Sequence, residues 1–226
     1  MKDKNKIIGI LGGIGPEATG NFYLSLISLF QKRGLINSNT DFPQIIINSI
    51  PAPELIYEKI SNKDLELYIK GLKELEKFGV DSIAIICNTI HLFYQKLQNK
   101  IKTPIIDLRK EIKNFLIEKN VKTITVLGTP ITIKKGLYRF ESFKYLDLNE
   151  EDVKSLAEGI FNFNKGFEKN KQKRTIQNIA KKYLKNGAEI IILGCTELEL
   201  MLKGVNIPKI NTMDILLETI IKRHKF

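Results

Sequence analysis

The sequence predicts an α/β protein of two pseudo-symmetric lobes, each with a mostly parallel four-stranded sheet flanked by helices. Three observations predict it. Short apolar runs alternate with amphipathic stretches, loops marked by glycine or proline follow the runs, and the second half repeats the order of features in the first. The predicted boundaries are 1–108 with 209–226 for one lobe and 109–208 for the other. The 226 residues suffice for a sizeable core, and 43% hydrophobic with 27% charged residues is the balance of a folded globular chain. No run approaches the ~18 apolar residues of a membrane span.

Lys6 to Leu11 reads as a buried strand. Gly12, Gly13 and Gly15 form the loop after it, and Pro16 suits a first helical turn. Residues 17–33 then read as a helix that Gly34 ends. Gln44 to Asn48 is a second strand, and Ser49 to Glu54, with two prolines, is a loop. Asp64 to Phe78 carries Leu65, Tyr68, Ile69, Leu72 and Leu75 at near-helical spacing, and Gly79 closes it. Ser82 to Ile86 is a third strand, Ile105 and Ile106 belong to a fourth, and a helix follows from about Arg109. The pattern restarts with strands at Thr123 to Leu127 and Lys144 to Leu148. Helices near 151–163 and 173–186, strands at Glu189 to Leu193 and Lys209-Ile210, and a helix over 213–224 complete it.

The halves align in detail. Gly79 to Thr89 lies without gaps on Gly187 to Glu197, which superposes Cys87 on Cys195. Ile10-Leu11-Gly12 lies on Val126-Leu127-Gly128, and the same offset pairs Gly20 with Gly136 and Phe22 with Tyr138. Thr103-Pro104-Ile105 resembles Ile207-Pro208-Lys209. Each cysteine therefore stands just past the carboxyl end of a third strand, where open parallel sheets bind ligands. Lobes facing each other across a pseudo-dyad would put both thiols on one cleft.

Thirty-six Lys and Arg against 25 Asp and Glu give a net charge of +11. Nucleic-acid binding is discounted, because few of these cations are arginines and the lysines are scattered. Cys87 and Cys195 lack the spacing of a zinc knuckle or redox pair, and His91 and His224 are too few for a structural metal site. Met1 to Gly15 mimics a signal peptide but has no small-residue cleavage pattern. The setting predicted is cytoplasmic, with both thiols reduced and no metal.

A helix start after each cysteine would favour thiolate. Two thiols on opposite faces of one carbon suit stereoinversion: one takes the α-proton and the other returns a proton. The carbanion needs aimed donors; Asn88, Thr89, Thr196 and nearby backbone N–H groups are candidates. The scheme demands no cofactor. The residues alone leave a lysine Schiff base with pyridoxal phosphate open, and no motif points to it. Gly13-Ile-Gly15-Pro-Glu-Ala18 fits a dinucleotide fingerprint, but the second strand ends at Asn48-Ser49 without the expected acid.

Ile10 to Thr19, Cys87-Asn-Thr-Ile-His91, Leu127-Gly-Thr129 and Leu193-Gly-Cys-Thr-Glu197 together resemble the aspartate/glutamate racemase family, specifically its aspartate racemase branch. The resemblance implies cofactor-independent racemisation of an acidic amino acid, aspartate before glutamate, in a cleft between two lobes of a homodimer subunit. It implies Cys87 and Cys195 as the acid/bases, with Asn88, Thr89, Thr129 and Thr196 holding the substrate, Ile14 and Gly15 lining the site, and Lys165 as a substrate-binding lysine. His91, on one helical face with Cys87, and Glu197 are candidates for tuning the thiols; each also reads as an ordinary helix residue. Tyr138 reads as packing, and Lys134 and Lys135 as a solvated turn.

One departure stands out. The family's Pro-Asp-Arg segment, whose Arg binds a side-chain carboxylate, is replaced by Pro51-Ala52-Pro53-Glu54. The competing readings are a related isomerase such as maleate isomerase, a decarboxylase needing one cysteine, and a non-catalytic sensor of small acids.

Overall fold

The computed structural model describes residues 6–53, 55 and 60–224. In chain order the elements are β1 (Ile8–Gly12), α1 (Pro16–Lys32), β2 (Ile45–Ser49), α2 (Asn62–Lys77), β3 (Ser82–Ile85), α3 (Tyr94–Gln98) and α4 (Leu108–Glu118). There follow β4 (Thr123–Gly128), α5 (Pro130–Lys134), β5 (Lys144–Tyr145), α6 (Glu150–Asn164), α7 (Lys169–Lys185), β6 (Ile190–Gly194), α8 (Thr196–Met201), β7 (Lys209–Asn211) and α9 (Thr212–His224). Short 3₁₀ turns cover Asn39–Asp41 and Thr89–Phe93.

The chain forms two compact units. One comprises residues 6–53, 60–107 and 213–224; the other comprises 55 and 108–212. The first holds a parallel sheet of order β2-β1-β3, the second a parallel sheet of order β5-β4-β6-β7. β1 and β3 are buried throughout, as strands covered on both faces must be. In the first unit Phe22, Leu26 and Phe30 of α1 and Leu65, Tyr68, Leu72 and Leu75 of α2 are buried at helical spacing. In the second, Leu156, Ile160 and Phe163 of α6 and Ile176, Ile179 and Tyr183 of α7 form one cluster with Leu127, Ile191 and Leu193 of the sheet.

The internal repeat extends to strand register. β1 pairs with β3 as Ile8↔Ser82 through Leu11↔Ile85, and β4 pairs with β6 as Ile124↔Ile190 through Leu127↔Leu193. Each rung of the first pair maps onto a rung of the second under the offsets read from sequence. The next position repeats as well: Ile83 N–H donates to Pro104 O (2.9 Å), and Ile191 N–H to Pro208 O (3.1 Å).

Several expectations are corrected. Among the described residues the first sheet has three strands, not four. Ile105 makes one isolated bridge to Ile83, since Pro104 has no N–H and α4 begins at Leu108, so the ladder cannot extend. The strand expected at Lys144 to Leu148 is Lys144–Tyr145 alone. α7 begins at Lys169, not 173, because its first turn is almost wholly charged or polar and shows no apolar period. The pairing of Gly20 with Gly136 and Phe22 with Tyr138 also fails. α5 has 5 residues where α1 has 17, so Gly20 lies inside α1 while Gly136 (φ 62°) terminates α5. The true counterpart of Gly136 is Gly34. The next residue in each case, Leu137 or Leu35, bonds back five residues to Thr132 O (3.1 Å) or Phe30 O (3.2 Å).

Candidate active site

At the carboxyl edge of the first sheet, two loops lie side by side. One follows β1 and carries Ile14 and Gly15; the other follows β3 and carries Cys87, Asn88 and Thr89. Ile86 N–H donates to Leu11 O (2.9 Å), extending the β1–β3 ladder up to the cysteine. Cys87, Asn88, Thr89 and Ile14 are buried, and Gly15 is half-buried. The glycine loop is closed by its own chain. Gly13 N–H donates to Thr19 Oγ1 (3.0 Å), and Thr19 Oγ1 donates to Gly15 O (3.3 Å). A Cβ on Gly13 (φ 86°) would lie 2.3 Å from Ile50 O. The close approach of the Ile50 backbone is what requires glycine at position 13. Asn48, where a dinucleotide fingerprint expects an acid, donates to Gly71 O (3.1 Å) and Glu74 Oε2 (2.8 Å).

The segment after Cys87 is a 3₁₀ turn, Thr89–Phe93, rather than the expected α-helix. Its three-residue period does not place residues i and i+4 on one face, so the predicted shared helical face of Cys87 and His91 is corrected. His91 is buried, and its ring stacks on Tyr94 at 6.4 Å. Tyr68, which helical spacing predicts as a packing residue of α2, also makes a polar contact. Its hydroxyl donates to Pro53 O (2.6 Å). Burial first, and then negative charge on Cys87, push its phenol well above the ordinary value near 10, so the phenol stays neutral near the thiol. A tyrosine in the middle of an otherwise aliphatic helix face was the available signal.

In the second unit the last rung, Gly128↔Gly194, sets Thr129 beside Cys195 and Thr196. Both glycines of this rung sit in tight surroundings: a Cβ on Gly194 would meet Leu127 O at 3.0 Å, and one on Gly128 would meet Thr132 Cγ2 at 3.0 Å. Thr129 caps α5 by accepting Thr132 N–H (3.3 Å), and its hydroxyl donates to Thr132 Oγ1 (3.0 Å). Thr212 Oγ1 donates to Leu193 O (3.1 Å), fixing the strand end from the other side. Cys195, in extended conformation, is the residue before α8. Its thiol donates to Glu197 Oε2 (2.7 Å), and Thr196 Oγ1 donates to the same oxygen (3.1 Å). Glu197 turns back onto the thiol rather than capping its own turn, and it is buried with Thr196.

Lys165 stands on no strand-end loop. It is exposed at the C-cap of α6, its ammonium 4.0 Å from the ring centroid of Phe161. Tyr138 is buried, as expected for packing. Glu54, the last residue of the segment that replaces Pro-Asp-Arg, lies outside the described residues, whereas Pro51, Ala52 and Pro53 form loop. Among the described residues no cluster of three His, Cys, Asp or Glu side chains could hold a metal ion, and no helix is long and apolar enough to cross a membrane.

Known proteins resemble this chain in sequence and fold. The model of the Asp/Glu/Hydantoin racemase family matches residues 11–220. The broad specificity amino-acid racemase RacX of Bacillus subtilis is 35% identical over 149 residues, 65% of this chain and 63% of that protein. The glutamate racemase of Aquifex pyrophilus is 29% identical over 135 residues, 58% of this chain and 52% of that protein. The chain thus spans between about half and two thirds of these curated relatives. The crystal structure of an aspartate racemase homologue from Pyrococcus horikoshii superposes with a TM-score of 0.75 at 25% identity, covering 99% of this chain and 100% of that one. Picrophilus torridus aspartate racemase reaches 0.80 at 23% identity, covering 97% and 94%, and shows the shared fold. With strand-end cysteines at register-equivalent positions and a family match over almost its whole length, the chain belongs to the Asp/Glu/hydantoin racemase family.

Proposed function

We propose that the protein racemises an amino acid without a cofactor, with Cys87 and Cys195 as the paired acid and base. The observation that carries this reading is that the two cysteines occupy equivalent positions of a repeated strand register, each past the carboxyl end of a parallel strand, β3 for Cys87 and β6 for Cys195.

In this scheme one sulfur takes the α-proton as thiolate, and the other, as thiol, gives a proton to the opposite face of the same carbon. The intermediate carries extra negative charge on the substrate carboxylate. Donors already aimed at it offset that charge without reorganisation. Asn88, Thr89, Thr129 and Thr196, all buried at the strand ends, are the side chains offered for this role. Aspartate is the first substrate to test and glutamate the second. The likeness to a broad specificity relative makes neutral amino acids the third group, and the segment Pro51-Ala52-Pro53, which supplies no cation, favours including them.

The test is α-proton exchange. Each enantiomer is incubated with the protein in deuterated water, and deuterium content and chirality are followed together. The expected result is incorporation with inversion. Cys87→Ala and Cys195→Ala should each reduce racemisation by about a hundredfold or more, the scale of a lost general acid or base, with the circular dichroism spectrum retained. Full turnover in either variant would refute the two-cysteine scheme.

A further inference from the structure

The two cysteines stand in equivalent frames but have unlike neighbours. After Cys87 the chain reads Asn88-Thr89-Ile90-His91; after Cys195 it reads Thr196-Glu197-Leu198-Glu199. The register therefore sets neutral Thr89 against Glu197, and His91 against Glu199. Glu197 is only 5% exposed, and its Oε2 accepts both the Cys195 thiol (2.7 Å) and the Thr196 hydroxyl (3.1 Å).

A bond between sulfur and a carboxyl oxygen at this distance needs one proton between them, and because a carboxylic acid is ordinarily a far stronger acid than a thiol, that proton rests on sulfur. Were Cys195 ionised, a thiolate would face that oxygen at the same short distance, two acceptors with no hydrogen between them in a buried setting. The titratable groups on the helices packed against α8 offer no relief. On α6 and α7, Asp152 and Tyr183 are buried but bonded to each other (2.8 Å), and Asp152 also takes the Lys182 ammonium (2.6 Å). Glu150, Glu151, Lys154 and Glu158 of α6, and the lysines and Arg174 of α7, are exposed or half-buried. The Tyr68 phenol, which feels the charge of Cys87, is itself a neutral group bonded to Pro53 O (2.6 Å).

We infer that Glu197 is a positioning residue that divides the labour between the two sulfurs: it holds Cys195 as the thiol that donates, and leaves Cys87 to rest as the thiolate that abstracts. This deepens the two-cysteine reading and rests on it. The protons balance. Cys87 sulfur gains the α-proton, the carbanion gains the Cys195 proton, and the enzyme left with thiol at Cys87 and thiolate at Cys195 is reset by proton exchange with water.

The test uses Cys87→Ser, in which Cys195 is the single thiol. The S–H stretching band of Cys195 is recorded by infrared difference spectroscopy, and its alkylation by iodoacetamide is timed at neutral pH, with and without Glu197→Gln. The expected band in Cys87→Ser lies below that of an unbonded thiol. Adding Glu197→Gln should move it up and speed alkylation about tenfold or more, the scale of losing a hydrogen bond to a charged group. An unchanged band and rate would overturn the inference. Should the double variant not fold, Cys87→Ser alone decides it: a band at the unbonded position, or no S–H band at neutral pH, overturns it. These readouts involve no turnover. Absence of α-proton exchange in the parent enzyme would sink the racemase reading and leave them untouched.

Discussion

Two glycines seven residues apart should respond to alanine with opposite signs. Gly13 has φ 86°, a backbone region that costs a residue with a Cβ about 1–2 kcal/mol. Its Cβ would also sit 2.3 Å from Ile50 O and 2.6 Å from Ile50 N. Ile50 cannot simply retreat, because its N–H is bonded to Gly12 O at 3.0 Å; moving it loses about another 1 kcal/mol. Gly13→Ala should therefore destabilise the protein by about 2–3 kcal/mol. Gly20 lies on the exposed side of α1 with nothing within 4 Å of an added Cβ. Gly20→Ala should stabilise by about 0.8–1 kcal/mol through helix propensity alone. Urea melts followed by far-UV circular dichroism, fitted for the first transition to lose signal, measure both. A Gly13→Ala protein within about 0.5 kcal/mol of the parent, or one more stable than Gly20→Ala, would refute the account of the β1–α1 loop.

Two further outcomes are expected. Tyr68→Phe removes the bond to Pro53 O (2.6 Å) from a fully buried side chain and should cost about 0.5–1.5 kcal/mol, the net worth of one hydrogen bond, because Pro53 is only half-buried; chemical denaturation reads it, and no change would mean that water replaces the phenol. Glu76 accepts the N–H groups of Thr103 (2.9 Å) and Lys102 (2.5 Å), and these bonds hold its carboxyl below the ordinary value near 4.5. A carboxylate lowered on folding contributes stability above its unfolded value and loses it as pH falls through the folded one. Stability should thus decline with acidification below about pH 4.5, and Glu76→Gln should flatten that decline in melts run at successive pH values.

Much of this architecture could be read from residues, for reasons that differ by element. The cysteine offset was legible because buried parallel strands are continuous apolar runs, so Ser82–Ile85 and Ile190–Gly194 align with few gaps to mislead. Pro104 and Pro208 were legible as a pair because each carbonyl serves the same register position. The match of Gly20 to Gly136 misled because a glycine inside a helix and one ending it look alike in sequence; only the bond from the following leucine separates them. The turn after Cys87 misled because Thr89 to Phe93 has too few residues to display a period. Glu197 was visible as a candidate, but the direction of its carboxylate, back onto Cys195 rather than along α8, is a rotamer choice that no spacing encodes.

The first unit is assembled from both ends of the described chain. α9 supplies it with buried Leu216 and Ile220, and with Glu218, whose carboxylate meets Arg33 of the segment after α1 at 2.6 Å. During synthesis those residues arrive after the whole of the second unit. The second unit, apart from Leu55 a continuous stretch of chain, is complete once Thr212 has emerged. The half of the protein that begins first therefore waits, with an apolar surface uncovered, until the half that begins later has already finished.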